Sequence, residues 1–407
     1  MKCLIVDDDA EKKRLIAECV FSSGVSEDDV VFASSVIEAK RQLTGSGFDL
    51  LVLDINLPNR ADQFPTKDGG LEVLRWLKGR GSGHMPAYVV GMTAYNDAYE
   101  GALSEFDNLV WTIIPFSSTS NVWRVKLGAT ISLIDQQIQP PFPRDGTTYH
   151  AQLAVVTALQ IELDAVQAVS TSWRRIPVRG DETPYFIGTF EEAGERVEFV
   201  AVCATDKGLP GAAVATTKLI DAFHPRLVAM TGICAGVSGK VKIGDILVAD
   251  PTWDWGSGKF RQKRGGLEEF HPAAYQMRLE EGLRNKALIL GLDKDWLAST
   301  KNSFRGDIPP TDLNVYVGAV ASGGSVLQSS SAVRRLITQH KDLIGIEMEI
   351  FSLMFACHVS TLPRPRAIAL KSVCDFGNRH KNNRYQAYAA YTSASALRRL
   401  ALDGLVE

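Results

Sequence analysis

The stretch CLIVDDDAEKKRLIAECVFSSG, Cys3 to Gly24, decides how the first part of the chain folds. Its apolar, β-rich opening ends in Asp7, Asp8 and Asp9, and the residues that follow keep helical spacing until a glycine stop. Working outward, VVFASS, DLLVLDIN and AYVVGMTA are further strand candidates, with helical stretches such as IEAKRQL and GGLEVLRWLKGR between them. Strand and helix therefore alternate, which predicts a doubly wound, parallel-sheet α/β domain. Ligands of such domains sit beyond the carboxyl ends of the strands.

With 407 residues the chain is too long for one ordinary core, so two or three domains are expected. A net charge of -3 gives no global attraction to nucleic acid or anionic membrane, so neither is expected as a partner. No apolar run suggests a membrane span, and the N-terminus turns acidic too early for a secretory signal. The six cysteines form no C-x-x-C pair, which argues against structural zinc and a disulfide framework and points to the cytoplasm. The Pro-rich segment QQIQPPFPRDGTTYH, 136–150, reads as a linker between a domain at 1–135 and a second at 151–407.

At the strand ends of the first domain, Asp7, Asp8, Asp54 and Thr93 converge on one edge of the sheet. Three crowded carboxylates repel one another, and a hard cation such as Mg2+ would relieve that. Alternatively each Asp only starts a turn or caps the next helix. IVDDD, LLVLDINLP, MTA and the PF of WTIIPFSS resemble the response-regulator receiver family over roughly residues 1 to 135. The resemblance implies that Asp54 accepts a phosphoryl group, that Asp7, Asp8, Asp54 and Asn56 hold Mg2+, and that Thr93 and Trp111 form the phosphoryl switch. One position departs from the family: Ile114 stands before Pro115, where receivers carry the lysine that contacts the acyl phosphate. Lys67, in the long loop after Asp54, is a candidate replacement but reads more simply as a solvated loop lysine.

From Gln152 the pattern restarts, and LAVVTA, VEFVAVCA, RLVAMTGICAGV, GDILVADPT, VYVGAVASGG and PRAIALKSVCDFG read as strands of a larger mixed-sheet α/β domain. Small-residue turns, as around Gly232 in TGICAGV, let a ligand approach the backbone. In GIEMEIFSLMFACH, Glu347 and Glu349 open an otherwise apolar helix, so they either cap it, stay wet, or bind something. TGICAGV, GDILVAD, ASGGSVLQ, IEMEIFSLMFA and SVCDFG, in that order, resemble the nucleoside phosphorylase and nucleosidase superfamily across nearly all of 151–405. The resemblance implies that Glu349 binds the ribose 2′- and 3′-hydroxyls while Met348 packs on the sugar. It implies that Asp375 protonates purine N7, and that Gly232, Val326 and Leu327 belong to the substrate site. It also implies that Glu162 activates water, since TALQIELD lacks the arginine with which the phosphorylases hold phosphate. No cofactor is expected in this domain. His380, Lys381 and Arg384, with Lys259, Arg261, Lys263 and Arg264, are candidates for contacting a polyphosphate or simply solvated loop charge.

A receiver fused to a nucleosidase resembles effectors of bacterial two-component antiphage defence systems. The implied activity is a phosphorylation-regulated hydrolase that releases adenine from a purine nucleotide, ATP in the first instance, with a histidine kinase or other phosphodonor as partner and a homo-oligomer as the assembly. A methylthioadenosine-type nucleosidase, a purine nucleoside phosphorylase and a non-catalytic nucleoside sensor remain open alternatives.

Overall fold

The computed structural model describes residues 1–79, 84–94, 111–262, 268–273, 275–326, 329–378 and 383–406, without the side chains of 136–138 and 330. It divides into two compact units, Met1–Gln139 and Pro140–Glu407.

The first unit contains β1 (Cys3–Val6), α1 (Ala10–Ser22), β2 (Val30–Ala33), α2 (Val36–Gly45), β3 (Leu50–Asp54), α3 (Gly69–Lys78), β4 (Tyr88–Thr93), β5 (Thr112–Pro115) and α4 (Val122–Ile138). Its strands pair in parallel in the order β2-β1-β3-β4-β5, as the alternation predicts. The order reverses between β1 and β3, and Asp7 and Asp54 stand at that crevice. Helix α1 starts where the Asp9 side chain accepts from the N–H groups of Glu11 and Lys12, at 2.8 and 3.0 Å. Its buried face carries Ile16, Ala17, Cys19 and Val20, with Lys12 one turn earlier on the same face. Gly70 lets α3 press on the end of β3, because a Cβ there would lie 2.2 Å from the Asp54 carbonyl oxygen.

The stretch expected as a linker is partly ordered structure. Helix α4 runs to Ile138, and in the second unit the Phe142 and His150 N–H groups donate to the carbonyls of Ala222 and His224.

The second unit is built on β6 (Ala151–Thr157), α5 (Gln160–Ala168), β7 (Ser172–Val178), β8 (Asp181–Glu192), β9 (Glu195–Cys203), α6 (Leu209–Phe223), β10 (Pro225–Gly236) and β11 (Ile246–Asp254). After an exposed hairpin, β12 (Gly258–Gln262) with β13 (Glu268–Pro272), come β14 (Gln276–Met277), α7 (Glu281–Leu290), α8 (Lys294–Ser303), β15 (Val315–Ser322), α9 (Ser330–Gln339), β16 (Leu343–Glu347), α10 (Ile350–Val359), β17 (Arg366–Asp375) and α11 (Gln386–Leu400). The main sheet is mixed, and β17 pairs with both β10 and β11. Since β11 also pairs with β15, β15 with β16, and β16 with β10, these five strands close into a ring. Closure removes free edges there and brings the ends of β10, β16 and β17 together. Most of β17 is buried, which is why RAIALKSVCD reads as a continuous run. Among the described residues no helix is long and apolar enough to cross a membrane.

Candidate active site

One cleft in the second unit is lined by Glu162, Met348, Glu349 and Asp375, together with Val326 and Lys207. Three carboxylates that the resemblance gives roles thus share one space, and Glu347 lines it too.

Glu162 lies in the first turn of α5 and is 1% exposed. Its Oε2 accepts from the N–H groups of Ala158 and Leu159, at 2.8 and 3.0 Å, and its Oε1 accepts from Ile233 N–H at 2.8 Å. A buried carboxylate without such donors would cost several kcal/mol. Gly232 makes the approach possible, because a Cβ there would stand 1.9 Å from Glu162 Oε1. Gly232 itself is not among the cleft-lining residues, and its N–H donates to Ser393 Oγ at 3.1 Å. In the fold it seats Glu162.

The two glutamates of the IEME segment separate cleanly. Glu347 Oε2 accepts from the N–H groups of Glu349 and Ile350, at 2.8 and 3.0 Å, and Ser322 Oγ donates to its other oxygen. Its side chain thus satisfies N–H groups at the start of α10, whose N-cap residue is Glu349. Burial and then the neighbouring Glu349 push the Glu347 carboxyl up to about 7, against the pull of Lys371. Both glutamates line the cleft, but only Glu349 reaches across it, where its Oε1 accepts from Gly208 N–H at 2.8 Å.

Lys371, in the middle of β17, is the residue that sequence reading missed. Its ammonium lies 3.4 Å from Glu162 Oε1 and 3.5 Å from Glu349 Oε2, and its side chain is 1% exposed. Burial alone would lower its pKa, but Glu162, Glu349 and Glu347 outweigh it and hold the group above the ordinary lysine range. One cation therefore compensates and orients Glu162 and Glu349. The signal was present as a lone lysine inside the apolar run AIALKSVC.

Asp375, at the end of β17, is 7% exposed, and its Oδ1 accepts from Gly377 N–H at 2.7 Å. Val326 is 45% exposed at the cleft rim, whereas Leu327 lies outside the described residues. Of the candidate cations, Lys263, Arg264, His380 and Lys381 also lie outside them. Lys259 and Arg261 are exposed on the β12–β13 hairpin, and Arg384 pairs with Asp307 at 3.0 Å. Among the described residues, Lys207 is the cation that lines the cleft, adjacent to the Gly208 that holds Glu349.

The first unit has its own cluster. Ligand oxygens of Asp7, Asp8 and Asp54 lie within 4.8 Å of one another, and Thr93 is buried at the end of β4. Asn56 N–H donates to Asp54 Oδ1 at 3.3 Å, and Trp111 packs against the core just before β5. The Lys12 ammonium lies between two of the acids, 2.9 Å from Asp7 Oδ2 and 3.0 Å from Asp54 Oδ2. Burial pushes the Asp54 carboxyl up to about 6, while Lys12 pulls it down and Asp7 adds to the rise. That ammonium stands between the oxygens of Asp7 and Asp54, while the three acids remain close enough together to be candidates for holding a metal ion. Ile114 is wholly buried in the core, and Lys67 is exposed on the loop before α3.

The chain belongs to the phosphorylase superfamily, whose family model matches residues 152–405. It is 30% identical over 413 residues to the uncharacterized protein y4jS of Sinorhizobium fredii, a similarity that spans the full length of both chains. It is 23% identical over 261 residues to the ATP nucleosidase Cap17 of Escherichia coli, covering 59% of this chain and 49% of that one. Among solved structures, an S-adenosylhomocysteine nucleosidase from Streptococcus pyogenes in complex with 5-methylthiotubericidin matches 63% of this chain and 99% of its own, with a TM-score of 0.48 and 18% identity.

Proposed function

We propose that the second unit is an N-ribosyl hydrolase that releases adenine from a purine nucleotide, with ATP as substrate, and that the first unit regulates it through phosphorylation of Asp54. The observation that carries the reading is the convergence of Glu162, Glu349 and Asp375 on one cleft, two of them oriented by Lys371. Glu349 accepts from the ribose hydroxyls, and Met348 packs on the sugar. Asp375 passes a proton to adenine N7 as the bond from the ribose to the base breaks, so the base leaves neutral. Glu162 takes a proton from the water whose oxygen bonds to the same ribose carbon. The products are adenine and ribose triphosphate, and proton exchange with solvent resets the two carboxyl groups.

A carboxylate at Glu162 favours water over an anionic phosphate as the nucleophile, which weighs against a phosphorylase. Lys207 in the cleft wall favours a phosphorylated 5′ end over a thioether, and the similarity to a protein named ATP nucleosidase supports the same choice.

The test is a panel of nucleosides and nucleotides incubated with the pure protein, with and without inorganic phosphate and a small phosphodonor, and resolved for free base. ATP should yield adenine without inorganic phosphate. Asp375→Asn should lower that yield roughly 10²- to 10⁴-fold while leaving the melting temperature close to wild type. Turnover of Asp375→Asn near the wild-type rate would remove Asp375 from the mechanism.

A further inference from the structure

Lys12 holds an unusual position. It lies on the core-facing stripe of α1, its side chain is 6% exposed, and its ammonium touches the two buried acids of the first unit. The ring of Phe116 stands 5.5 Å away and closes a further side of the group. Helix α1 is anchored at its start by Asp9, and Lys13 beside it donates to the Asp7 carbonyl at 2.8 Å. The lysine stem is thereby directed into the crevice between β1 and β3.

We propose that Lys12 is the resident cation of this pocket, occupying the place between Asp7 and Asp54 that a divalent ion would share, so that the unit binds such an ion far more weakly than three converging carboxylates otherwise would.

The argument is one of space and charge. A Mg2+ ion needs oxygens at about 2.0–2.1 Å, and an ammonium 2.9 and 3.0 Å from the same two oxygens fills that volume. To enter, the ion must displace a cation that is paired with both acids and 6% exposed, and a buried ammonium stripped of its partners is strongly disfavoured. Lys12 also supplies positive charge beside Asp54 where Ile114, sealed in the core, cannot. Asp8 is exposed and contributes only the third, solvated carboxylate. None of this depends on the reaction assigned to the second unit.

Mn2+ titration of the full chain, followed by the electron paramagnetic resonance of the free ion, counts bound ions without reference to activity. The wild type should show no saturable site at low millimolar Mn2+. Lys12→Met should gain one site per chain, at least tenfold tighter, which a second substitution, Asp54→Asn, removes. Equal binding by wild type and Lys12→Met would overturn the proposal. If Lys12→Met does not fold, the wild type still decides: saturable binding that Asp54→Asn abolishes overturns it, and its absence supports it.

Discussion

The ammonium of Lys371 lies 3.4 Å from Glu162 Oε1, with both side chains 1% exposed. The same ammonium is 3.5 Å from Glu349, so the charges of two cleft glutamates are balanced by one strand residue. Removing it leaves buried carboxylates uncompensated, which typically costs about 3–5 kcal/mol. Lys371→Met should therefore lower the melting temperature strongly and abolish base release, while Lys371→Arg should restore part of both. A methionine variant as stable and as active as wild type would show that the pair does not matter.

Lys207 decides the prediction about substrate class. It lines the cleft next to Gly208, whose N–H holds Glu349, the carboxylate proposed to bind the ribose. Lys207→Ala should raise KM for ATP about tenfold, equivalent to about 1.4 kcal/mol, and leave adenosine cleavage almost unchanged. A parallel loss for both substrates would mean that Lys207 supports the loop and does not read phosphate.

The third prediction is a pH dependence set by Glu347. Its folded pKa is raised from 4.5 to about 7, so the folded chain binds the proton more tightly than the unfolded chain does. That contribution to stability is fully present below about pH 4.5 and is lost as pH rises through about 7. Glu347→Gln lacks the titration, and a glutamine oxygen can still accept from the N–H groups of Glu349 and Ile350. The melting temperature of Glu347→Gln relative to wild type should climb between pH 5 and pH 7 and level off above pH 8. The gain should be on the order of 1–3 kcal/mol. A flat difference across that range would exclude the titration of Glu347.

Much of the fold was legible because strands announce themselves as apolar runs bounded by turn residues. LAVVTA, RLVAMTGICAG and PRAIALKSVCD all became strands, and the closed ring follows from pairings that no single segment encodes. Glu162, Glu349 and Asp375 were named from the motifs that carry the family resemblance, and the structure brings the three to one cleft. What escaped notice were the cations that answer them. Lys12 and Lys371 are ordinary in sequence, one in a charged helix start and the other a single interruption of a strand. Their importance comes from side-chain reach across the fold: Lys371 meets a glutamate 209 residues away. The close approach of Glu162 to Gly232 was not legible either, because a glycine that admits a ligand and one that admits a carboxylate look alike in sequence.

The last prediction concerns control. Asp54 is buried at the end of β3, and the ammonium 3.0 Å from its Oδ2 belongs to α1. A phosphoryl group on Asp54 would bring about two negative charges at neutral pH, and Lys12 must re-pair with them. Any shift of Lys12 is carried by α1, whose Cys19 Sγ lies 3.5 Å from the Arg124 carbonyl of α4, the helix that precedes the second unit in sequence. A tenfold change in the active population requires only about 1.4 kcal/mol of differential interaction, less than a new charge-assisted hydrogen bond can supply. A small phosphodonor should therefore raise adenine release about tenfold in the wild type and leave Asp54→Asn unresponsive, with labelled phosphoryl-protein formed only by the former. Equal rates for both proteins, with no labelled protein, would end the regulatory reading and leave the hydrolase to be judged on the nucleotide panel alone.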